Sequence, residues 1–310
     1  MLRHTLLLIL FLVADKLKNL IPRLGKRGPH RVLTGELEFA GIPGRVYTPA
    51  EGKGIPAVAF GHDWRQSIEA YHATLRHLAS WGIAVAAPNT ERGFAPNARG
   101  FASDLETSLQ ILAGVKLGQG NISVDPTKLF LAGHGFGASS AVLAATGRTA
   151  SHKGVKTYEN QALLAGVVAI YPSDTSPSSY EAAKYVEAPG LVLNAGAIGE
   201  IPMGDATRMA AQWKGDVVYR RLERATAQGF NEKITKKLLM GKGLPEFSNQ
   251  DLARALMTGF ILAETDKKYA AFRDDTAELK RTLVATKKEL VDELPENADI
   301  QKRIQELSFK

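Results

Sequence analysis

The sequence predicts an α/β fold with a mostly parallel sheet and helices on both faces, and three observations carry that expectation. Continuously apolar runs, such as residues 55–60 and 83–88, alternate with stretches of helical periodicity, as strands buried on both faces require. A glycine-rich corner, Gly133-His134-Gly135-Phe136-Gly137, joins one such run to a helical stretch. A chain of 310 residues, 45% hydrophobic, is long enough for one large domain with terminal appendages.

Residues 5–14 form an uncharged run too short for a standard spanning helix, which needs about 20 apolar residues. Beyond it Leu17, Leu20, Ile21 and Leu24 fall at helical spacing, with Lys16, Lys18 and Arg23 among them, a pattern suited to lying in a bilayer interface. Seven basic residues stand against one acid, Asp15, in residues 1–31, so nearly all of the net charge of +7 gathers there. That distribution points to an anionic lipid surface. No zinc-finger, helix-turn-helix or RNA-binding signature accompanies it, so nucleic acid is not an expected partner. Residues 1–30 are therefore read as a membrane anchor and basic linker, with 26–30 as the linker, and the charge bias keeps the remainder of the chain on the cytoplasmic face of the inner membrane. An uncleaved export signal, with only Arg3 before the run and no small-x-small cleavage site after it, is the second reading, and a buried soluble helix is the third.

Residues 32–40 and 44–48 alternate like two antiparallel strands around a Gly-Ile-Pro-Gly turn and should form a sheet edge. Strand 55–60, helix 71–81, strand 83–88 and helix 101–115 lead to the corner strand and its helix. Then come strand 165–171, helix 179–186, strand 190–194, helix 205–213 and strand 216–222. From residue 231 onward the chain reads as helical, including 250–264 and 267–274. In 275–294, Leu279, Leu283, Leu290 and Leu294 make one stripe before Pro295, and Ile300, Ile304 and Leu307 continue a second short helix. The expected division is 1–30 as anchor, 31–274 as the α/β domain and 275–310 as a helical extension, packed on its own body or docking a partner. The absence of cysteine excludes a disulfide framework, a thiolate zinc site and cysteine catalysis.

The order of elements and several motifs resemble the α/β-hydrolase superfamily, in particular its branch of dienelactone hydrolases, platelet-activating-factor acetylhydrolases and cutinase-type polyester hydrolases. The similarity runs from about Val32 to Asp274. The corner is similar to the family's G-x-S-x-G elbow, with Gly135 where the nucleophilic serine would stand. Phe60-Gly61-His62-Asp63-Trp64 is similar to the H-G-[FW] turn, so the resemblance assigns oxyanion-binding amides to Trp64 and Phe136. Residues 71–87 resemble the helix-to-strand passage after that turn, and 253–272 the closing helical pair. In Leu191-Val192-Leu193-Asn194-Ala195-Gly196-Ala197-Ile198-Gly199-Glu200-Ile201-Pro202 the acid position falls on Ile198, or on Glu200 after a short shift. Ala225-Thr226-Ala227-Gln228-Gly229-Phe230 resembles the G-A-x-H-x-G-F ending, with Gln228 at the histidine position.

Triad chemistry needs a nucleophile, a base and an orienting acid in concert. Glycine offers no nucleophile, and a primary amide is no base near neutral pH. No histidine occurs beyond His152, so a base downstream of the elbow is missing under any alignment. The resemblance thus implies a degenerate member with no catalytic residues and no cofactor or metal. Such a protein would bind a lipid or acyl ligand, or act as a scaffold or accessory to a membrane protein. The alanine-rich, cysteine-free chain is also similar to hydrolase-like proteins of mycolate-bearing actinobacteria, which implies a setting in envelope lipid biogenesis. The alternative is an esterase or lipase using non-standard groups around His62, Asp63 and His134, with Asp63 bringing a carboxylate to the pocket mouth.

Overall fold

Successive side chains of a strand point to opposite faces, so the fully apolar runs of this sequence demand a covering layer on each side. The structure, a computed structural model, describes residues 17–146, 164–197, 204–233 and 246–293. Strands β1 (Val32–Glu36), β2 (Gly44–Pro49), β3 (Gly52–Gly61), β4 (Ala84–Pro88), β5 (Ile122–His134), β6 (Gly166–Ile170), β7 (Gly190–Gly196), β8 (Val217–Glu223) and β9 (Thr282–Ala285) make one sheet. Their order is β1-β2-β4-β3-β5-β6-β7-β8-β9. Pairing is parallel from β4 through β3, β5, β6 and β7 to β8, and antiparallel at both ends. The two edge strands expected at the start of the chain are β1 and β2; the first stops at Glu36, and Glu38–Ala40 turns as a 3-10 helix.

The described helices are α1 (residues 17–24), α2 (His72–Ser80), α3 (Ala98–Gly114), α4 (Phe136–Ala145), α5 (Ser179–Ala183), α6 (Ala206–Gln212), α7 (Phe247–Leu262) and α8 (Lys287–Glu293). Alternation along the strands divides the core between them. Val58, Phe60, Val168 and Ile170 pack with Leu24 of α1, Leu78 of α2 and Phe260 of α7. Ala57, Ala59, Val167 and Ala169 face the opposite layer, with Phe101 of α3, Val142 of α4, Met209 of α6 and Leu290 of α8. Small residues on β3, Ala57 and Ala59, share this core with the bulky Phe101, Leu105 and Leu109 of α3.

Two expectations need correction. The leucine stripe of α1 does not face outward: Leu17 and Leu24 are fully buried in the first core, with Leu20 and Ile21 packed against it. Periodicity shows that a helix has an apolar face, not what covers it. The segment after it is also no free linker. The Trp81 indole N–H donates to the Lys26 carbonyl at 2.9 Å, and the Gly28 N–H donates to Ser80 Oγ at 2.8 Å. A Cβ on Gly28 would lie 2.2 Å from the Ser80 carbonyl oxygen, so only glycine allows this approach. The apolar run 5–14 lies outside the described residues, among which no helix is long and apolar enough to cross a membrane.

The second correction concerns the tail. Residues 275–294 are not one helix, because β9 pairs antiparallel with β8, from Tyr219↔Ala285 to Leu222↔Thr282, before α8 begins. Leu279 and Leu290 are buried while Leu283 is 53% exposed. The β-branched Thr282 and Val284 favour extension, and the open edge of β8 supplies hydrogen-bonding partners that outweigh helical spacing. Leu294 and the second short helix lie outside the described residues.

Candidate functional site

The corner after β5 is built on an unusual backbone. Gly135 has φ 55° and ψ −118°, a conformation that costs other residues roughly 1–3 kcal/mol. Its N–H donates to the Ile170 carbonyl at 3.0 Å, and its carbonyl accepts from the Ser139 and Ser173 N–H groups, each at 3.2 Å. Close packing explains the flanking glycines. A Cβ on Gly137 would lie 2.2 Å from the Gly61 carbonyl oxygen, and one on Gly133 would lie 2.4 Å from Gly137, so any side chain would push α4 off β3 and β5.

Asp63, from the turn after β3, fills the space above the corner and is 4% exposed. A Cβ on Gly135 would lie 1.9 Å from Asp63 Oδ1 and 2.3 Å from its Cγ, so the carboxyl group occupies the volume in which a side chain at 135 would begin. Oδ1 accepts from the Phe136 N–H at 2.9 Å, and Oδ2 accepts from Gln228 Nε2 at 2.8 Å. The acid thus joins Gly135 to Gln228 and takes the Phe136 amide that an oxyanion would need. Gln228 is held in place from α7's side. Glu246 accepts from the Thr226 N–H, and Gln250 donates to the Gly229 carbonyl at 2.9 Å.

His134 belongs to a saturated chain. Its Nε2 faces the Ala227 carbonyl at 2.7 Å and must donate; its Nδ1 therefore accepts from Tyr71 Oη at 2.8 Å. Tyr71 Oη in turn accepts from the Asp63 N–H at 3.1 Å. Burial and the nearby Asp63 hold the Tyr71 hydroxyl protonated, its pKa raised well above the ordinary tyrosine value. The lone pair that a base would need is already engaged. His62 is buried too, its Nδ1 2.9 Å from the Asp63 carbonyl and its Nε2 2.8 Å from the Thr90 carbonyl. Burial lowers its pKa, and a neutral ring donates to only one of the two.

Trp64 turns outward. Its indole donates to the Phe94 carbonyl at 3.0 Å, and the Arg65 guanidinium lies over both rings, 5.5 Å from one centroid and 5.4 Å from the other. Ile198 and Glu200, the two candidate acid positions, lie outside the described residues. Ser139 of α4 donates to the Ser173 carbonyl, away from the corner's tip. Among the described residues no group of three acidic or histidine side chains is placed to hold a metal ion. Cavities of about 500 and 550 Å³ lie elsewhere, one at the start of β7 and β8 and one beside Trp81.

The structure therefore brings together His134, Phe136, Asp63 and Gln228 and leaves the Trp64 side chain aside. Asp63 lies inside the corner, not at its mouth. Sequence reasoning missed that, along with the part played by Tyr71, which read as the start of a helix. A signal was present in the sequence: position 135 carries no side chain and position 63 carries a carboxylate, and the two turns face each other. Compared with known proteins, the chain matches no family model and no curated protein.

Proposed function

We propose that this chain is a catalytically silent α/β-hydrolase-type protein, of the dienelactone hydrolase, acetylhydrolase and cutinase-like branch, that works as a membrane-associated accessory protein. The actinobacterial resemblance suggests a setting in envelope lipid biogenesis, and the basic bias of residues 1–31 suggests the cytoplasmic face of the inner membrane. The supporting observation is the Asp63 carboxyl group, lodged over Gly135 and bonded to both the Phe136 amide and Gln228. An ester entering such a corner would find no nucleophile, no free base and its oxyanion donor occupied. An acyl ligand in the same place would have to break two hydrogen bonds to a buried acid, which favours the scaffold role over lipid binding at this point.

The test is turnover of p-nitrophenyl acetate and butyrate by the full chain across neutral pH, with fluorophosphonate labelling in parallel. Rates equal to buffer and no label are expected. Sustained turnover abolished by His134→Ala or Asp63→Ala would establish the rival esterase and end this reading.

A further inference from the structure

We infer that the groove between the end of α1 and the end of α2 is a docking site for the phosphate-bearing headgroup of an anionic membrane lipid. The inference rests on the membrane-association reading above, but it names a different part of the chain from the apolar run 5–14.

The open groove has a volume of about 550 Å³ and is lined by Asn19, Arg23, Lys26, Arg27 and Trp81, with no acid among the described residues that line it. All three cations are exposed. Among the described residues none of them enters an ion pair, whereas Arg254 on the same layer is held by both Glu232 and Asp251. Charge without a partner, gathered on one concave face, is what an anionic ligand requires.

The backbone that carries the cations is held in place before anything binds. The leucines beneath them anchor α1 in the core, and the 26–30 backbone is fixed to the end of α2 through Lys26, Gly28 and His30. Arg23 lies over the Trp81 ring, 6.0 Å from its centroid. A partner would therefore order side chains on a backbone already in place. Two guanidinium forks and an ammonium match the oxygens of a phosphodiester. Because the stripe of α1 is turned inward, the outward face is read by charge and not by apolar burial. A free phosphate ester carries the same chemistry; the uncharged run 5–14, just ahead of α1 in sequence, places the bilayer as the source.

The test uses the full chain and vesicles of phosphatidylcholine with and without phosphatidylglycerol. Tighter binding to the anionic vesicles is expected, weakening as salt is raised. Combining Arg23→Ala, Lys26→Ala and Arg27→Ala should lower that affinity about a hundredfold, at about fivefold per cation. Arg23→Lys with Arg27→Lys should bind more weakly than the parent, through loss of the forks, but more tightly than the triple variant, with circular dichroism unchanged in both variants. Equal binding to both vesicle types, unaffected by the triple variant, would overturn the groove while leaving the apolar anchor standing. Binding to neither vesicle would sink both. Glycerol phosphate or duplex DNA binding as tightly as the anionic vesicles would assign the groove to another ligand and overturn the proposal.

Discussion

The closed corner and the basic groove are both concentrations of polar groups, and they differ in how those groups are matched. At the corner, Asp63, Gln228, Tyr71, His134 and the Phe136 amide satisfy one another in a buried network. In the groove, Arg23, Lys26 and Arg27 face solvent and, among the described residues, enter no ion pair. Matched polar groups in a dry interior hold shape and resist any newcomer. Unmatched cations on an exposed face cost the fold little and keep their charge for a partner. The two regions thus differ in what they leave open to a ligand: the corner has its polar groups engaged, and the groove has its charges exposed.

If that contrast holds, perturbing the corner should cost stability and perturbing the groove should not. The largest effect belongs to Gly135→Ala. The new Cβ would fall within the Asp63 carboxyl group and adopt an unfavourable φ, costing about 4 kcal/mol between backbone strain and displaced hydrogen bonds. Urea unfolding measures this, and adding Asp63→Gly should return at least about 2 kcal/mol as coupling energy. Independent, additive losses would break the claim that the two positions share one space.

Tyr71→Phe comes next, at about 2 kcal/mol, because it removes the acceptor of the buried Asp63 N–H and the donor to His134 Nδ1. Acid should act with similar size beneath the groove. His77 of α2 is buried beside Leu24, and burial pushes its pKa down to about 4. The unfolded chain, with an imidazole near 6.5, takes up its proton first as pH falls. The stability contributed by neutral His77 is therefore complete above about pH 6.5 and lost progressively toward 4, amounting to about 2 kcal/mol by pH 5. Thermal melts at both pH values measure it, and His77→Gln should flatten the slope. The smallest effect is Arg27→Ala, expected within about 0.5 kcal/mol of the parent in urea. A cost above about 1 kcal/mol would mean that this cation is matched after all.

Much of the architecture was legible because it rests on local pattern. Apolar runs such as 55–60 and 83–88 became β3 and β4, and the glycines at 133 and 137 marked a close crossing of helix and strand. That Gly135 and Gln228 belong to one region was legible only as an expectation, and Asp63 proved to be the residue that links them. The corner's closure was not legible, because Asp63 and Gly135 are far apart in sequence and only the parallel pairing of β3 with β5 brings their turns face to face. The leucines of α1 and the residues of β9 misled for a related reason. Spacing identifies an apolar or extended stretch, while the neighbour that covers it is settled by the tertiary fold.

The antiparallel partner laid along β8 also bears on how the protein can be cut. A truncation after Asp274, at the end of the expected domain, would strip Tyr219 to Leu222 of their outer hydrogen-bonding row. An uncovered strand of that kind recruits the same strand from another molecule. A shortened chain should consequently self-associate as its concentration rises, and the final segment is best regarded as the fold's guard against its own copies.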